Sequence, residues 1–177
     1  MSISRQELGQ QVWYDADTKG YAMLDVTKYI PPLQSVEVEG VTLLPKHEYH
    51  VSIANLRGIA GENPEIEPKM VWFMQAYLAD PAHQLEWKGL TGAYYLCQKP
   101  NAEGDMQRTL IGAVEIAGLA ALERAMRQRF AMPITLSRPH VTLLKSANSP
   151  YGIGVNSSED LAQLCRRQDE LGEQLFE

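Results

Sequence analysis

Hydrophobic and polar positions change rhythm several times along the chain, and the changes predict its elements. Gly20-Tyr21-Ala22-Met23-Leu24-Asp25-Val26 is the first run apolar enough to read as a strand, and Pro31-Pro32 follows it as a break. Val36, Val38, Val41 and Leu43 around Gly40 predict a strand pair, and Val51 with Ile53 predicts another short strand. Asn63 to Pro68 reads as a loop into a helix through Met70, Phe73, Met74 and Tyr77, ended near Asp80-Pro81, with its Met and aromatic stripe in the core. Gln84 to Lys88 and Ala93 to Cys97 read as two strands parted by a turn at Gly89 and Gly92, and Asn101 to Asp105 as an exposed turn.

From about Gln107 to Phe130 the apolar residues Leu110, Val114, Ala117, Ala121, Leu122 and Ala125 keep roughly helical spacing, so one long helix is expected there. Arg124, Arg127 and Arg129 would be its solvated end. His140 to Leu144 is a strand, and Asn156-Ser157-Ser158 starts a last helix with Leu161, Leu164, Leu171 and Leu175 on its apolar face. That leaves a C-terminal helical extension at 157–177 on a single α+β domain. The polar and aromatic N-terminal residues yield no strand assignment.

Composition narrows the class. Hydrophobic residues at 45% and charged residues at 21% are those of a chain that buries a core rather than a disordered one. A formal charge of -6 argues against a surface coated for duplex binding, yet leaves room for a local basic cleft. Cys97 and Cys165 are too few for a disulfide framework and read as two ordinary thiols in a reducing compartment. No run reaches membrane-spanning length, and the first residues lack a signal peptide's apolar segment, so a soluble, cytoplasmic protein with no membrane partner is expected.

The candidate chemistry lies in two matched segments. Tyr49-His50-Val51-Ser52-Ile53 and Pro139-His140-Val141-Thr142-Leu143 share imidazole, valine, hydroxyl and aliphatic side chain in the same order. On a strand, side chains alternate, so His50 and Ser52 share one face, as do His140 and Thr142. One neutral imidazole can deprotonate water or a hydroxyl while a protonated one donates to a departing oxygen. Two hydroxyls can donate to non-bridging phosphate oxygens.

The pair of motifs resembles the two-histidine phosphoesterase superfamily, which includes bacterial RNA 2',3'-cyclic phosphodiesterases historically called RNA 2'-5' ligases. The resemblance implies a bilobal, pseudo-symmetric α+β fold with a central cleft between antiparallel sheets. It makes His50 and His140 the catalytic residues and Ser52 and Thr142 the phosphate-binding ones. It also implies metal-independent hydrolysis of a cyclic phosphate or phosphodiester, with no cofactor. The substrate would be an RNA terminus, an oligonucleotide or a small cyclic nucleotide, without an obligate protein partner. Tyr151, Arg138 and Lys145 are further candidates for substrate binding.

Two rival readings remain. In a zinc-dependent hydrolase His47 and His50 would be ligands, but an offset of three on a strand points them to opposite faces and no His-Glu-x-x-His helix is present. His47 is better placed in a turn, and His83 in a solvent-facing loop. In an RNA- or nucleotide-binding module without turnover, Tyr49, Tyr151 and Trp87 would stack on bases and Arg57, Arg138 and Lys145 would hold phosphates.

Overall fold

The computed structural model describes residues 5–17, 19–136, 138–150 and 152–177. The strands are β1 (Arg5–Gly9), β2 (Val12–Asp15), β3 (Tyr21–Asp25), β4 (Val36–Val38), β5 (Val41–Pro45), β6 (His50–Asn55), β7 (Glu86–Pro100), β8 (Met106–Ala117), β9 (His140–Ser146) and β10 (Cys165–Arg167). The α-helices are α1 (Leu56–Ala60), α2 (Ile66–Ala79), α3 (Leu119–Phe130), α4 (Ser158–Leu164) and α5 (Asp169–Glu173). The architecture is α+β, with a mostly antiparallel open sheet and a few helices. Among the described residues no helix is long and apolar enough to cross a membrane.

The chain forms two compact units. The first comprises the described residues of Met1–Asp25, Val51–Lys88 and Ile116–Ser137. Here β1, β2, β3 and β6 lie in that order. The β1–β2 hairpin turns on Gly9, Gln10 and Gln11, all at positive φ. The Gln10 amide donates to the Leu78 carbonyl at 2.9 Å and accepts from the Leu85 N–H at 2.8 Å, which ties this turn to the end of α2. Met70, Met74 and Leu78 of α2 are buried, as their helical spacing requires, while Trp72 on the opposite side is 79% exposed. Asn55 caps α1 by accepting from the Gly58 N–H at 3.0 Å. Arg57 donates to Glu67 and, at 2.7 Å, to the Ala16 carbonyl, and the Tyr14 hydroxyl donates to the same Glu67 carboxylate. Arg57 is thereby engaged in holding α1, α2 and the β2 end together rather than offered to a phosphate.

The long helix expected from Gln107 is replaced by strand β8, and the helix begins only at Leu119. Leu110, Ile111, Gly112 and Val114 are all buried, so this stretch is covered on both faces and loses the alternation that marks a half-exposed strand. The switch is made at Gly118, at φ 94, where a Cβ would sit 2.2 Å from the Gln84 carbonyl oxygen. Only glycine fits there. Arg127 is not simply solvated at the end of α3: it pairs with Glu123 at 3.0 Å and donates to the Ile134 carbonyl at 2.5 Å.

The second unit comprises the described residues of Val26–His50, Gly89–Glu115 and Arg138–Glu177. Its strands run β9, β8, β7, β10, with β5 on β9 and β4 on β5. Glu39 at φ 53 and Gly40 at φ 77 make the tight turn between β4 and β5. Gly89 and Gly92 do not form a turn: both have positive φ, yet β7 continues through them as one strand of 15 residues. The hairpin partner of β7 is β8, reached through Asn101, whose side chain accepts from the Glu103 and Asp105 N–H groups at 2.9 and 2.8 Å.

The C-terminal segment is not one helix. Ser157 caps α4 by accepting from the Asp160 N–H at 3.0 Å, but the chain then extends as β10 against β7. Cys165 stands directly opposite Cys97, their Cα atoms 4.0 Å apart, and the two are joined in a disulfide. This corrects the expectation of two ordinary thiols. Cysteines 68 positions apart carry no local signal of pairing, and it is the return of β10 that brings them together. Two further bonds clasp the tail to Tyr94: the Gln168 N–H donates to its carbonyl at 2.8 Å, and its N–H donates to Asp169 at 2.9 Å.

Candidate active site

Both motif strands have the expected alternation. Along β6, His50 and Ser52 are half-buried while Val51 and Ile53 are fully buried. Along β9, His140 and Thr142 are half-buried while Val141 and Leu143 are fully buried. In each strand the valine and the next aliphatic residue anchor the core side, so imidazole and hydroxyl share the other side. His50 and His140 each open their strand, and both belong to the second unit.

The backbone before each histidine is held. Tyr49 is buried, its N–H donates to the Thr27 hydroxyl at 2.9 Å, and its carbonyl accepts from the Val26 N–H at 2.9 Å. That burial removes Tyr49 as a stacking platform. Pro139 accepts from the Val114 N–H at 3.1 Å, immediately before His140. His47 lies in an exposed bend. His83 is not a free loop residue: its ring stacks on Tyr77, with centroids 4.0 Å apart.

Strand β9 carries a feature that the sequence pattern alone does not disclose. Ala113, Gly112 and Ile111 of β8 stand opposite His140, Val141 and Thr142, but Leu110 and Thr109 stand opposite Leu144 and Lys145. One extra residue, Leu143, is therefore accommodated in β9 as a bulge. Leu143 and Leu144 are both buried, and the alternation resumes one residue out of phase, with Lys145 half-buried and Ser146 buried. The bulge turns Lys145 onto the face of His140 and Thr142, where unbroken alternation would have turned it to the core. Gly112 leaves the room this needs, since a Cβ there would approach Leu143 at 3.4 Å and Leu90 at 2.7 Å.

His140 is chemically biased. Its Nδ1 lies 3.0 Å from the Arg138 carbonyl oxygen, which can only accept, so Nδ1 carries the hydrogen. Nε2 then holds the lone pair of the neutral ring. Burial lowers the imidazole below its ordinary value of 6.5, outweighing that carbonyl, which favours the charged form. A neutral ring with a fixed tautomer is the state a general base needs near pH 7.

Among the described residues neither the Ser52 nor the Thr142 hydroxyl has a hydrogen-bond partner. The segment after β9 passes close to Thr142: a Cβ on Gly152, at φ 77, would sit 3.6 Å from its Oγ1. Lys145 reaches the same segment, its Nζ donating to the Pro150 carbonyl at 3.1 Å. Ile153 and Val155 anchor it against Cys97 and Ile111. Arg138 contributes its carbonyl to His140, and its side chain is exposed. Tyr151 lies outside the described residues. Among the described residues no group of three or more His, Cys, Asp or Glu is placed to hold a metal ion.

Lys46, which motif reasoning passed over, lies beside Lys145. Its signal was parity: Leu44, opposite Lys145 in the β5–β9 ladder, is exposed, and Lys46 follows it by two. No protein-family model, curated protein or solved structure matches the chain.

Proposed function

We propose that the protein is a two-histidine phosphoesterase that hydrolyses a 2',3'-cyclic phosphate, or a related RNA or nucleotide phosphodiester, without a metal ion. One observation carries the reading: two His-x-Ser/Thr strands have the same alternating burial, and in one of them the histidine is held neutral with its tautomer set by a main-chain carbonyl. On this reading the fold is the bilobal, pseudo-symmetric one that the resemblance implies.

In the mechanism, Nε2 of His140 takes a proton from water as the water oxygen attacks phosphorus. Protonated His50 donates to the ribose oxygen as its bond to phosphorus breaks, so one water is added and a phosphomonoester results. Thr142 and Ser52 donate to the non-bridging oxygens, on which charge accumulates, and Arg138 and Lys145 supply positive potential. Ligation would run the same proton transfers in reverse, with the two rings exchanging roles.

The test is a panel of nucleoside 2',3'-cyclic phosphates and 2'-5'-linked oligonucleotides assayed with chelator present. Turnover of a cyclic phosphate is expected. Tight RNA binding with no turnover of any substrate would replace this reading by a binding module, and activity abolished by chelator and restored by zinc would replace it by a metal hydrolase.

A further inference from the structure

The bulge in β9 and the end of β5 bring Lys145 and Lys46 near enough for their charges to repel. The β5–β9 ladder pairs Leu43 with Ser146, Leu44 with Lys145 and Pro45 with Leu144. Lys46 is one step past the ladder and two residues after Leu44, so continued alternation puts it on the face of Lys145, and the two charges are near enough to repel. Because the bulge has already put Lys145 on the side of His140 and Thr142, the order along that face is His140, Thr142, Lys145, with Lys46 alongside the last.

The environment of Lys46 is not that of an ordinary surface lysine. It is half-buried, and its ammonium makes no hydrogen bond or ion pair among the described residues. The charged groups acting on it are Lys145, which repels it, and Glu48, which attracts it; the Tyr49 hydroxyl meets its main chain. Burial first, and then Lys145, push its ammonium down to about 8. Two cations that repel each other in a partly desolvated place are jointly relieved by an anion bound to both.

We propose that Lys46 and Lys145 form a subsite for a second phosphate of the substrate, adjoining the phosphate that Thr142 and His140 act on. This rests on the phosphoesterase reading and narrows it: the preferred substrate is a nucleotide carrying a further phosphate next to the cyclic one. A 5'-phosphate on a mononucleotide and the preceding phosphodiester of an oligonucleotide present the same chemistry here. A cyclic phosphate with no neighbouring phosphate still feels the charge of Lys145 but leaves Lys46 unused. Spacing agrees with such a division, since one same-face step on a strand is about 7 Å.

The experiment has a catalytic arm and a binding arm. In the first, kcat/KM is measured for a nucleoside 2',3'-cyclic phosphate, its 5'-phosphorylated form and a dinucleotide with the same cyclic end, in the wild type and in Lys46→Gln and Lys145→Gln. The 5'-phosphate should raise kcat/KM about tenfold or more in the wild type, and each variant should collapse that ratio. Whether the dinucleotide shares the advantage separates the two phosphate sources. In the second arm, inorganic pyrophosphate is titrated while the Lys46 side-chain methylene next to nitrogen is followed by NMR, with no turnover required. Its titration midpoint should rise from about 8 as the anion binds. If no cyclic phosphate is turned over but pyrophosphate still shifts Lys46, the reaction assignment fails and the anion site stands. A ratio unchanged in both variants, or a Lys46 midpoint indifferent to pyrophosphate, overturns the subsite.

Discussion

The His140 ring nitrogen Nδ1 and the Arg138 carbonyl oxygen are 3.0 Å apart, a contact that only a hydrogen on Nδ1 can satisfy. The residue two before the histidine thus decides which ring nitrogen holds the lone pair. A pH consequence follows from the burial of the same ring. Burial holds its folded value below 6.5, whereas the unfolded chain binds that proton at about 6.5. Between the two values the unfolded state holds more protons, so stability falls as pH drops below about 6.5 and gains nothing from this group above it. Comparing urea unfolding of the wild type and His140→Asn from pH 7 to 5 should show a slope of up to about 1.4 kcal/mol per pH unit present only in the wild type. Parallel curves would mean that the ring is solvated. The acid limb of kcat/KM should likewise lie below that of a solvent-exposed imidazole.

Lys46 should be a costly residue for folding. A half-buried ammonium held at about 8 against an unfolded value near 10.5 destabilises the native state while it stays charged. Lys46→Met, close in shape, is expected to raise stability by about 1–3 kcal/mol at pH 7. In the wild type, stability should climb between pH 8 and 10 as the folded state releases its proton first, and the variant should lose that climb. A destabilised Lys46→Met protein would show instead that the ammonium has a compensating partner.

The disulfide gives an independent prediction. Cys97 and Cys165 close a separation of 68 residues, for which the chain-entropy account predicts about 4 kcal/mol, with 2–4 kcal/mol typical. Reduction should lower unfolding stability by that order and accelerate hydrogen exchange in β10 and α5 before the rest of the second unit. Intact mass and thiol titration of the native protein check the bond first. Two thiols that titrate under oxidising conditions would remove it.

Much of the candidate site's strand geometry was legible in sequence because alternation is local. His50, Ser52, His140 and Thr142 each share a face with their partner for reasons confined to three residues, and Val51 and Val141 fix which face is buried. Lys145 was visible as a cation, but its side depended on a bulge that arises from the register with β8, a relation between distant segments. The helix expected over β8 failed for a related reason: a strand buried on both faces has no period of two, and Leu110, Val114 and Ala117 then match helical spacing by default. The hairpin of β1 and β2 was missed because its strands are short and, after the single Gly9, its turn is completed by Gln10 and Gln11, residues with no turn signature. The Cys97–Cys165 pairing was illegible because nothing local to either cysteine announces β10.

Two glycines should separate steric need from backbone conformation. At Gly118 an added Cβ meets the Gln84 carbonyl oxygen at 2.2 Å with φ at 94, whereas at Gly40, φ 77, it meets nothing within 4 Å. Gly40→Ala is expected to cost about 1 kcal/mol, the left-handed penalty alone. Gly118→Ala adds a main-chain collision and should cost at least about 2–4 kcal/mol, seen as a clear drop in Tm. Equal losses at the two positions would show that α3 can move away from the residues before β7.

The sharpest prediction concerns the two histidines acting as a unit. A positioned proton-transfer group contributes about 10²–10⁴-fold, so His50→Ala and His140→Ala should each lower kcat/KM on a cyclic phosphate by that order. Both rings are half-buried at the start of a strand whose core contacts are made by Val51 or Val141, so truncation leaves the hydrophobic anchoring in place and melts should shift little. Attack on phosphorus and departure of the ribose oxygen belong to one displacement, so once one proton transfer is lost the other ring has less to assist. The double variant should therefore be slower than either single variant, but by less than the product of their effects. Ser52→Ala and Thr142→Ala should be milder, about tenfold each, because water can replace part of a hydroxyl's contact with phosphate. The variants are made, melted and assayed on one substrate. Near-wild-type turnover by a folded His140→Ala protein is incompatible with the proposed reaction. Strictly multiplicative losses would place the two rings in separate steps, with the neutral His140 no longer the partner of His50 in a single displacement.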